Sequence, residues 1–383
     1  MDEVIFKIES NIWELVPDEN KIGIMDGLSG IALFYYNLYE VFKNEDYKNK
    51  LLIIIDKINK LIHEEHTSAT LCSGIAGYGL MLLRIKNNFI DVDEEYFTNI
   101  DLFLQCELNE LTSENKYDYL HGAMGIAKYF LERYKTNKND LVIEILYKFS
   151  QEFIEKINTK FEDVLREPLF TDQHCYYFGL AHGVAGYINF LIDLKRSFVE
   201  MKLDIKKPLY IISDFLTYYK RVHSSSKQFY PNLIILETDL QIEPIVSWCQ
   251  GDLGISNALF NLGLYFNDNS IRCEAIEAVS NVSRILPVDS GVKDYTFCHG
   301  SIGVILQYDL ALSNMNIDLN DSIKEWNNNL SQQTNNFNEL LTYYDGSYMK
   351  EINLLNGLAG LGMGILTLQK QSSFQWLDIF NLH

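Results

Sequence analysis

Basic charge is scarce in this chain, proline is scarcer, and no apolar run is long enough to cross a bilayer. Lysine and arginine total 32 against 52 aspartates and glutamates, a formal charge of −20. That balance excludes nucleic acid as a partner, because phosphates repel an acidic body and no basic face is available to displace their counterions. A peptide or small molecule suits such a body better. The apolar stretch from Gly357 to Leu368 falls short of the roughly 20 residues that a spanning helix needs. The opening MDEVIFKIES lacks the basic-then-apolar order of a secretory signal, so a soluble, cytoplasmic protein is expected. The six cysteines show no small-scaffold disulfide spacing, which leaves reduced thiols or metal ligands. With 47% hydrophobic and 22% charged residues over 383 positions, the chain can bury a sizeable core, and disorder is excluded.

What the sequence does contain is a repeat. Gly-x-x-Gly occurs seven times, beginning at Gly27, Gly74, Gly122, Gly183, Gly251, Gly300 and Gly357. Each copy leads into an apolar run such as IALFYYNLYEVF, IAKYFLERY or IGVILQYDLAL. Each therefore reads as a turn entering a helix, with glycine allowing positive φ and close backbone approach. Between the runs lie amphipathic helices, among them LLIIIDKINKLI from Leu51 and IRCEAIEAVSNVSRIL from Ile271. All six prolines fall outside the apolar runs, as uninterrupted inner helices require. Two helices per unit and seven units predict an all-α fold, a closed α/α toroid of seven helical hairpins forming one domain over residues 1–383. The long spacings leave room for insertions near 158–181, 224–247 and 337–353, where Asp345-Gly346 reads as a hairpin turn.

In a closed ring of repeats, equivalent positions converge on one end of the central axis. The two residues before each first glycine are Met25-Asp26, Cys72-Ser73, Leu120-His121, Ala181-His182, Cys249-Gln250, Cys298-His299 and Leu355-Asn356. Cys249 in unit five and Cys298-His299 in unit six stand on neighbouring turns, so two thiolates and an imidazole can meet on one ion. Cys72 in unit two lies three steps from both and is left out. The softness of the donors favours zinc over magnesium or calcium, and three protein ligands leave a fourth position open, as catalytic sites do. Cys106, Cys175 and Cys273 read as small buried residues, and His174 beside Cys175 as a pair in a loop.

These motifs, Trp248-Cys249-x-Gly251, Cys298-His299-Gly300 and Ala181-His182-Gly183 on seven glycine turns, resemble the lanthipeptide (lantibiotic) cyclases of the lanthionine synthetase C-like family, over nearly the whole chain. The resemblance implies zinc on Cys249, Cys298 and His299, with His182 and Asp118 serving the chemistry. It further implies addition of peptide cysteine thiolates to dehydroalanine or dehydrobutyrine, which closes (methyl)lanthionine thioether rings. His182 would protonate the resulting enolate and Asp118 would orient that imidazole. The length resembles the stand-alone class I cyclases. Their implied partners are a dehydrated precursor with its leader peptide, and a dehydratase and transporter at the inner face of the membrane. Two positions depart from the family's habit: Ile245 stands where an arginine is often found, and Gln250 where an aromatic residue follows the first zinc cysteine. A non-catalytic peptide- or thiol-binding scaffold of the same fold is one alternative. An α/α-toroid glycosidase is another, with Asp118 and Asp26 as its acids. The glycine-rich GLAGLGMG from Gly357 lacks the spacing and preceding strand of a dinucleotide loop.

Overall fold

The computed structural model describes residues 2–64, 67–86, 89–170, 173–223, 227–335, 340–344 and 346–383. Helices of two kinds alternate along the chain. The odd-numbered ones are α1 (Asp2–Leu15), α3 (Glu45–Glu64), α5 (Glu94–Ser113), α7 (Asp140–Leu165), α9 (Lys206–Val222), α11 (Asn269–Val282) and α13 (Asn320–Gln333). Each buries one stripe: in α3 this is Tyr47, Leu51, Ile54 and Ile58, three or four residues apart, while Glu45, Asp46, Asn49, Asp56 and Lys60 face water. The even-numbered ones are α2 (Leu28–Phe42), α4 (Ile75–Ile85), α6 (Ala123–Thr136), α8 (Val184–Ser197), α10 (Asp252–Phe266), α12 (Ser301–Met315) and α14 (Leu358–Leu368). They are buried nearly all round, as their unbroken apolar sequences demand: α4 buries every residue except Arg84. Successive even helices pack on one another, and α14 packs on α2. That contact closes the ring, giving an inner barrel within an outer one, an α/α toroid.

Six short strands fill the long spacings. β1 (Arg166–Phe170), β2 (Gln173–Tyr177), β3 (Leu233–Ile235) and β4 (Leu240–Ile242) form one antiparallel sheet in that order. β5 (Thr342–Tyr344) and β6 (Ser347–Met349) form a separate hairpin. Asp345, at its predicted turn, lies outside the described residues, as do residues 171–172, 224–226 and 337–339 of the three predicted insertions.

Backbone hydrogen bonds stitch the glycine turns together at one end of the barrel. Leu355 N–H donates to Met25 O at 2.8 Å, Met25 N–H to Cys72 O at 3.1 Å, and Cys72 N–H to Leu120 O at 3.0 Å. Trp248 N–H donates to Cys298 O at 3.1 Å and Cys298 N–H to Leu355 O at 3.0 Å. The first of these bonds joins the last turn to the first. Glycine is needed here for proximity more than for handedness. A Cβ on Gly74 would sit 1.9 Å from the Ser68 carbonyl, yet its φ of −135° is open to any residue. Among the seven turn glycines only Gly251, at φ +81°, takes the positive φ that glycine permits.

The opposite end of the axis is plugged by the 3-10 helix Phe374–Phe380 and the residues after it. Its backbone carbonyls accept from Tyr119 Oη (Ile379 O, 2.9 Å), Trp248 Nε1 (Phe380 O, 2.9 Å) and Asn257 Nδ2 (His383 O, 3.0 Å). The Phe380 ring lies 4.1 Å from Phe297 and 5.1 Å from Trp248. Trp248 and Phe297 immediately precede Cys249 and Cys298, so the plug supports both cysteine turns from beneath.

Candidate metal centre and active site

Turns five and six bring Cys249 Sγ, Cys298 Sγ and one ring nitrogen of His299 within 4.8 Å of one another. The Cys298 N–H to Leu355 O and Trp248 N–H to Cys298 O bonds fix the heights of both cysteines, and the plug fixes their backs. A hydrogen bond from Cys298 lowers the Cys249 thiol to about 6, against burial and with help from the His299 charge and the Ser247 hydroxyl. The same bond, together with burial, pushes the Cys298 thiol well up. A cation bound here would take the place of that hydrogen bond and satisfy both sulfurs. His299 is oriented by the hairpin, since its Nε2–H donates to the Tyr343 carbonyl at 3.3 Å and leaves Nδ1 as the free ring donor. Tyr343 is itself held by its N–H on Asp294 Oδ2 at 2.7 Å. Two sulfurs and one oriented imidazole nitrogen fit zinc, which takes such donors at ~2.0–2.3 Å.

Turns three and four supply the second group. His182 Nδ1 lies 2.6 Å from Asp118 Oδ2, and the other carboxylate oxygen accepts from His121 N–H at 2.6 Å. Burial favours the neutral ring of His182, but the Asp118 charge and hydrogen bond outweigh it and raise the imidazole to about 9, with Cys249 and Glu167 adding to the rise. Asp118 is lowered although burial opposes this, because His182 and the His121 N–H stabilise its charge. The His121 ring stacks on His182 at 6.0 Å, and burial lowers its own affinity for a proton. Asp118 is thus committed to His182 and His121, which leaves it poorly placed as a free acid of a glycosidase.

Other predicted positions fall elsewhere. His174 and Cys175 lie on strand β2, not in a loop, where successive side chains point to opposite faces and cannot share an ion. Cys175 is buried, whereas Cys106 and Cys273 are exposed on α5 and α11, contrary to the expectation that all three are core residues. Their helices turn only one face inward, and these cysteines stand on the other. Cys72 is buried at turn two, apart from the metal trio, and burial raises its thiol. Ile245, at the position of the family's arginine, packs against Gly291. Sequence reasoning missed three contributors: the Ser247 hydroxyl 3.5 Å from Cys249 Sγ, the Tyr343 carbonyl, and Glu167. Glu167 is raised to about 8 by burial and by the Asp118 charge. Only Ser247, two residues before Cys249, carried any signal in the sequence.

A closed α/α toroid with a Cys, Cys, His trio at its mouth is the architecture of a lanthionine-forming cyclase. The family model described as "Lanthionine synthetase C-like protein" matches residues 18–381, and the chain belongs to that family. It is similar to the nisin biosynthesis protein NisC of Lactococcus lactis subsp. lactis, at 27% identity over 350 residues, covering 82% of this chain and 80% of the relative. Its fold is similar to the solved structure of nisin cyclase, with a TM-score of 0.74 and 20% identity over 98% of this chain and 97% of that one.

Proposed function

We propose that this cyclase closes (methyl)lanthionine rings in a dehydrated lanthipeptide precursor, with zinc held by Cys249, Cys298 and His299. The observation that carries this reading is the meeting of those three donors at the same mouth as the His182–Asp118 pair, within electrostatic reach of Cys249. Bound there, zinc supplies a lowered thiol pKa, so that an arriving peptide cysteine, ordinarily protonated near ~8.5, is a thiolate at neutral pH. Addition of that sulfur to the β-carbon of the dehydro residue breaks the C=C π bond and leaves an enolate, which takes a proton at the α-carbon. His182 is the donor: its raised pKa keeps the ring charged at neutral pH. Asp118 holds the proton-bearing Nδ1 and leaves Nε2 for the substrate. The reaction is an isomerisation overall, so the proton given to carbon is matched by the one lost from sulfur.

The precursor is read as carrying a leader peptide and as handed over by a dehydratase, with a transporter completing a cytoplasmic complex at the membrane. Among the described residues no helix is long and apolar enough to cross a membrane, so attachment there would come through those partners. The test is a mass-resolved thiol-capping assay on dehydrated precursor with the intact protein and with Cys298→Ala. The intact protein should protect the substrate's cysteines from alkylation, whereas the variant should lose its zinc and leave them reactive. Equal protection by both proteins would remove Cys298 from the reaction. Zinc binding without any protection would leave a peptide-binding scaffold.

A further inference from the structure

Each of the seven turns ends in one polar residue at the mouth, in the order Asp26, Ser73, His121, His182, Gln250, His299 and Asn356. The metal trio and His182 occupy turns four to six. The arc that continues from turn six, turns seven and one, carries two oxygens whose needs the protein does not meet. Asp26 Oδ1 and Asn356 Oδ1 are both buried and have no hydrogen-bond partner among the described residues. They stand on turns joined directly by the 2.8 Å bond from Leu355 N–H to Met25 O, and turn seven is joined to turn six by Cys298 N–H to Leu355 O. The other Asp26 oxygen is fixed by the Ser73 hydroxyl at 2.9 Å, and Asn356 is positioned through its N–H on Asn353 Oδ1 at 2.7 Å. Ser73 thus holds the Asp26 side chain and Asn353 the Asn356 backbone, and each residue has one acceptor spare. Burial disfavours the Asp26 carboxylate, so a donor arriving at Oδ1 would relieve a cost already present.

We propose that Asp26 Oδ1 and Asn356 Oδ1 are the subsite that grips the main-chain N–H groups of the substrate peptide, in particular the N–H that follows the dehydro residue. The proposal rests on the cyclase reading above and adds to it an orientation. In a trans peptide unit the N–H and C=O point in opposite directions. When the amide after the dehydro residue donates to the arc of turns seven and one, the carbonyl of the dehydro residue turns away from the Asp26 carboxylate. It then faces the arc of His121 and His182, where the enolate charge is met by a cation instead of an anion. The substrate class is any peptide with a free amide N–H at that position. Side-chain identity is not read here, which suits an enzyme that must close rings of different sequence.

The test compares two synthetic peptides, each with one cysteine and one dehydroalanine, differing only in whether an amide or an ester follows the dehydroalanine. Each rate is taken relative to the uncatalysed closure of the same peptide, because the ester is the better acceptor for a thiolate. The zinc-loaded intact protein should close the ester twin with a relative kcat/KM about 10- to 100-fold lower if the lost bond is to the carboxylate, and about 3- to 10-fold lower if it is to the amide oxygen. Asp26→Ala or Asn356→Leu, with zinc content unchanged, should slow the amide peptide and shrink the penalty for the ester. Asp26→Asn, which keeps an acceptor oxygen, should recover part of the rate. An intact protein that closes both peptides equally well overturns the subsite, and this result needs no variant to fold. An ester penalty of the same size in the intact protein and both variants overturns it too. Failure of the intact protein to close even the amide peptide removes the cyclase reading and this inference with it.

Discussion

Replacing Asp118 by asparagine changes one charge and almost no volume. In the wild-type site the carboxylate spans two donors, His182 Nδ1 and the His121 N–H, each at 2.6 Å. Asparagine can still accept from His121, but its amide NH2 then faces His182 and obliges Nδ1 to accept. The ring loses its counter-charge and is held in the opposite tautomer. With the carboxylate present the imidazole titrates at about 9. Without it, burial favours the neutral ring unopposed, and the value should fall to the ordinary ~6.5 or below. At pH ~7.5 the charged fraction then drops from about 97% to about 10%, a tenfold loss of proton donor. The neutral ring's remaining proton, on Nε2, faces the substrate but is far less acidic than an imidazolium proton and does not make up the loss, which lies within the ~10²- to 10⁴-fold that general acids supply. Cyclisation should therefore slow by about 10- to 100-fold near neutrality, with the alkaline limb of its pH profile moving from near 9 to below ~7. The assay is the initial rate of thiol loss, followed by mass spectrometry from about pH 5.5 to about 9.5. An alkaline limb that stays near 9 in the variant would refute the pairing as the source of the proton. Stability should respond with a definite sign. A folded-state pKa raised above the unfolded value gives a contribution fully present below about 6.5 and lost as pH rises through about 9. Because the His182 side chain is 35% exposed, that contribution is screened and should be small.

Three further perturbations test how the turns are supported. Phe380 is fully buried against Trp248, Phe297 and Trp376, so Phe380→Ala should cost about 3–5 kcal/mol in denaturant unfolding and weaken zinc retention against a chelator. Unchanged zinc retention would show that the plug does not brace the site. Gly251→Ala places a Cβ 2.5 Å from Gln228 Oε1 at a φ of +81°, a backbone region nearly exclusive to glycine. It should cost about 1–3 kcal/mol and lower zinc content. Gly74→Ala has no φ penalty, but it meets a carbonyl at 1.9 Å and should shift the turn without touching the metal.

The barrel was legible because its rules are local. Glycine before an unbroken apolar run and a 3.6-residue stripe on the alternate helix are both written in contiguous residues. The pairing of Cys249 with Cys298-His299 followed from counting turns around a ring. What could not be read is carried by main chain or by distant pairing. The Tyr343 carbonyl that sets the His299 tautomer and the Ile379, Phe380 and His383 carbonyls of the plug have no side-chain signature. The pairing of β2 with β3 joins segments far apart in sequence through strands of five and three residues, too short to announce a register. Glycine answers two needs at these turns. Six of the turns require only the missing Cβ, and Gly251 alone also requires the left-handed backbone.

A body of charge −20 is an unexpected host for a reaction that gathers anions, namely the thiolate and then the enolate. The ring of turns resolves the conflict. Each of α2, α4, α6, α8, α10, α12 and α14 begins at the mouth, and each has a glycine N-cap that offers no side-chain hydrogen bond to its first N–H groups. The first N–H groups at those ends are taken up by carbonyls of the chain just before each turn, as Leu28 N–H by Lys21 O at 2.9 Å, Ile75 N–H by Ser68 O at 2.8 Å and Ser301 N–H by Asp294 O at 3.0 Å. What the opening receives is the aligned dipole of seven helices, each worth at most about 0.3–1 kcal/mol toward a nearby anion. The barrel's acids on its outer helices act through water and are screened over ~8–10 Å at physiological salt. Seven helix N-termini converge on the mouth, so their dipoles outweigh those acids locally, and Asp26, two turns from Cys298-His299, is the one carboxylate among the seven residues that directly precede the turn glycines.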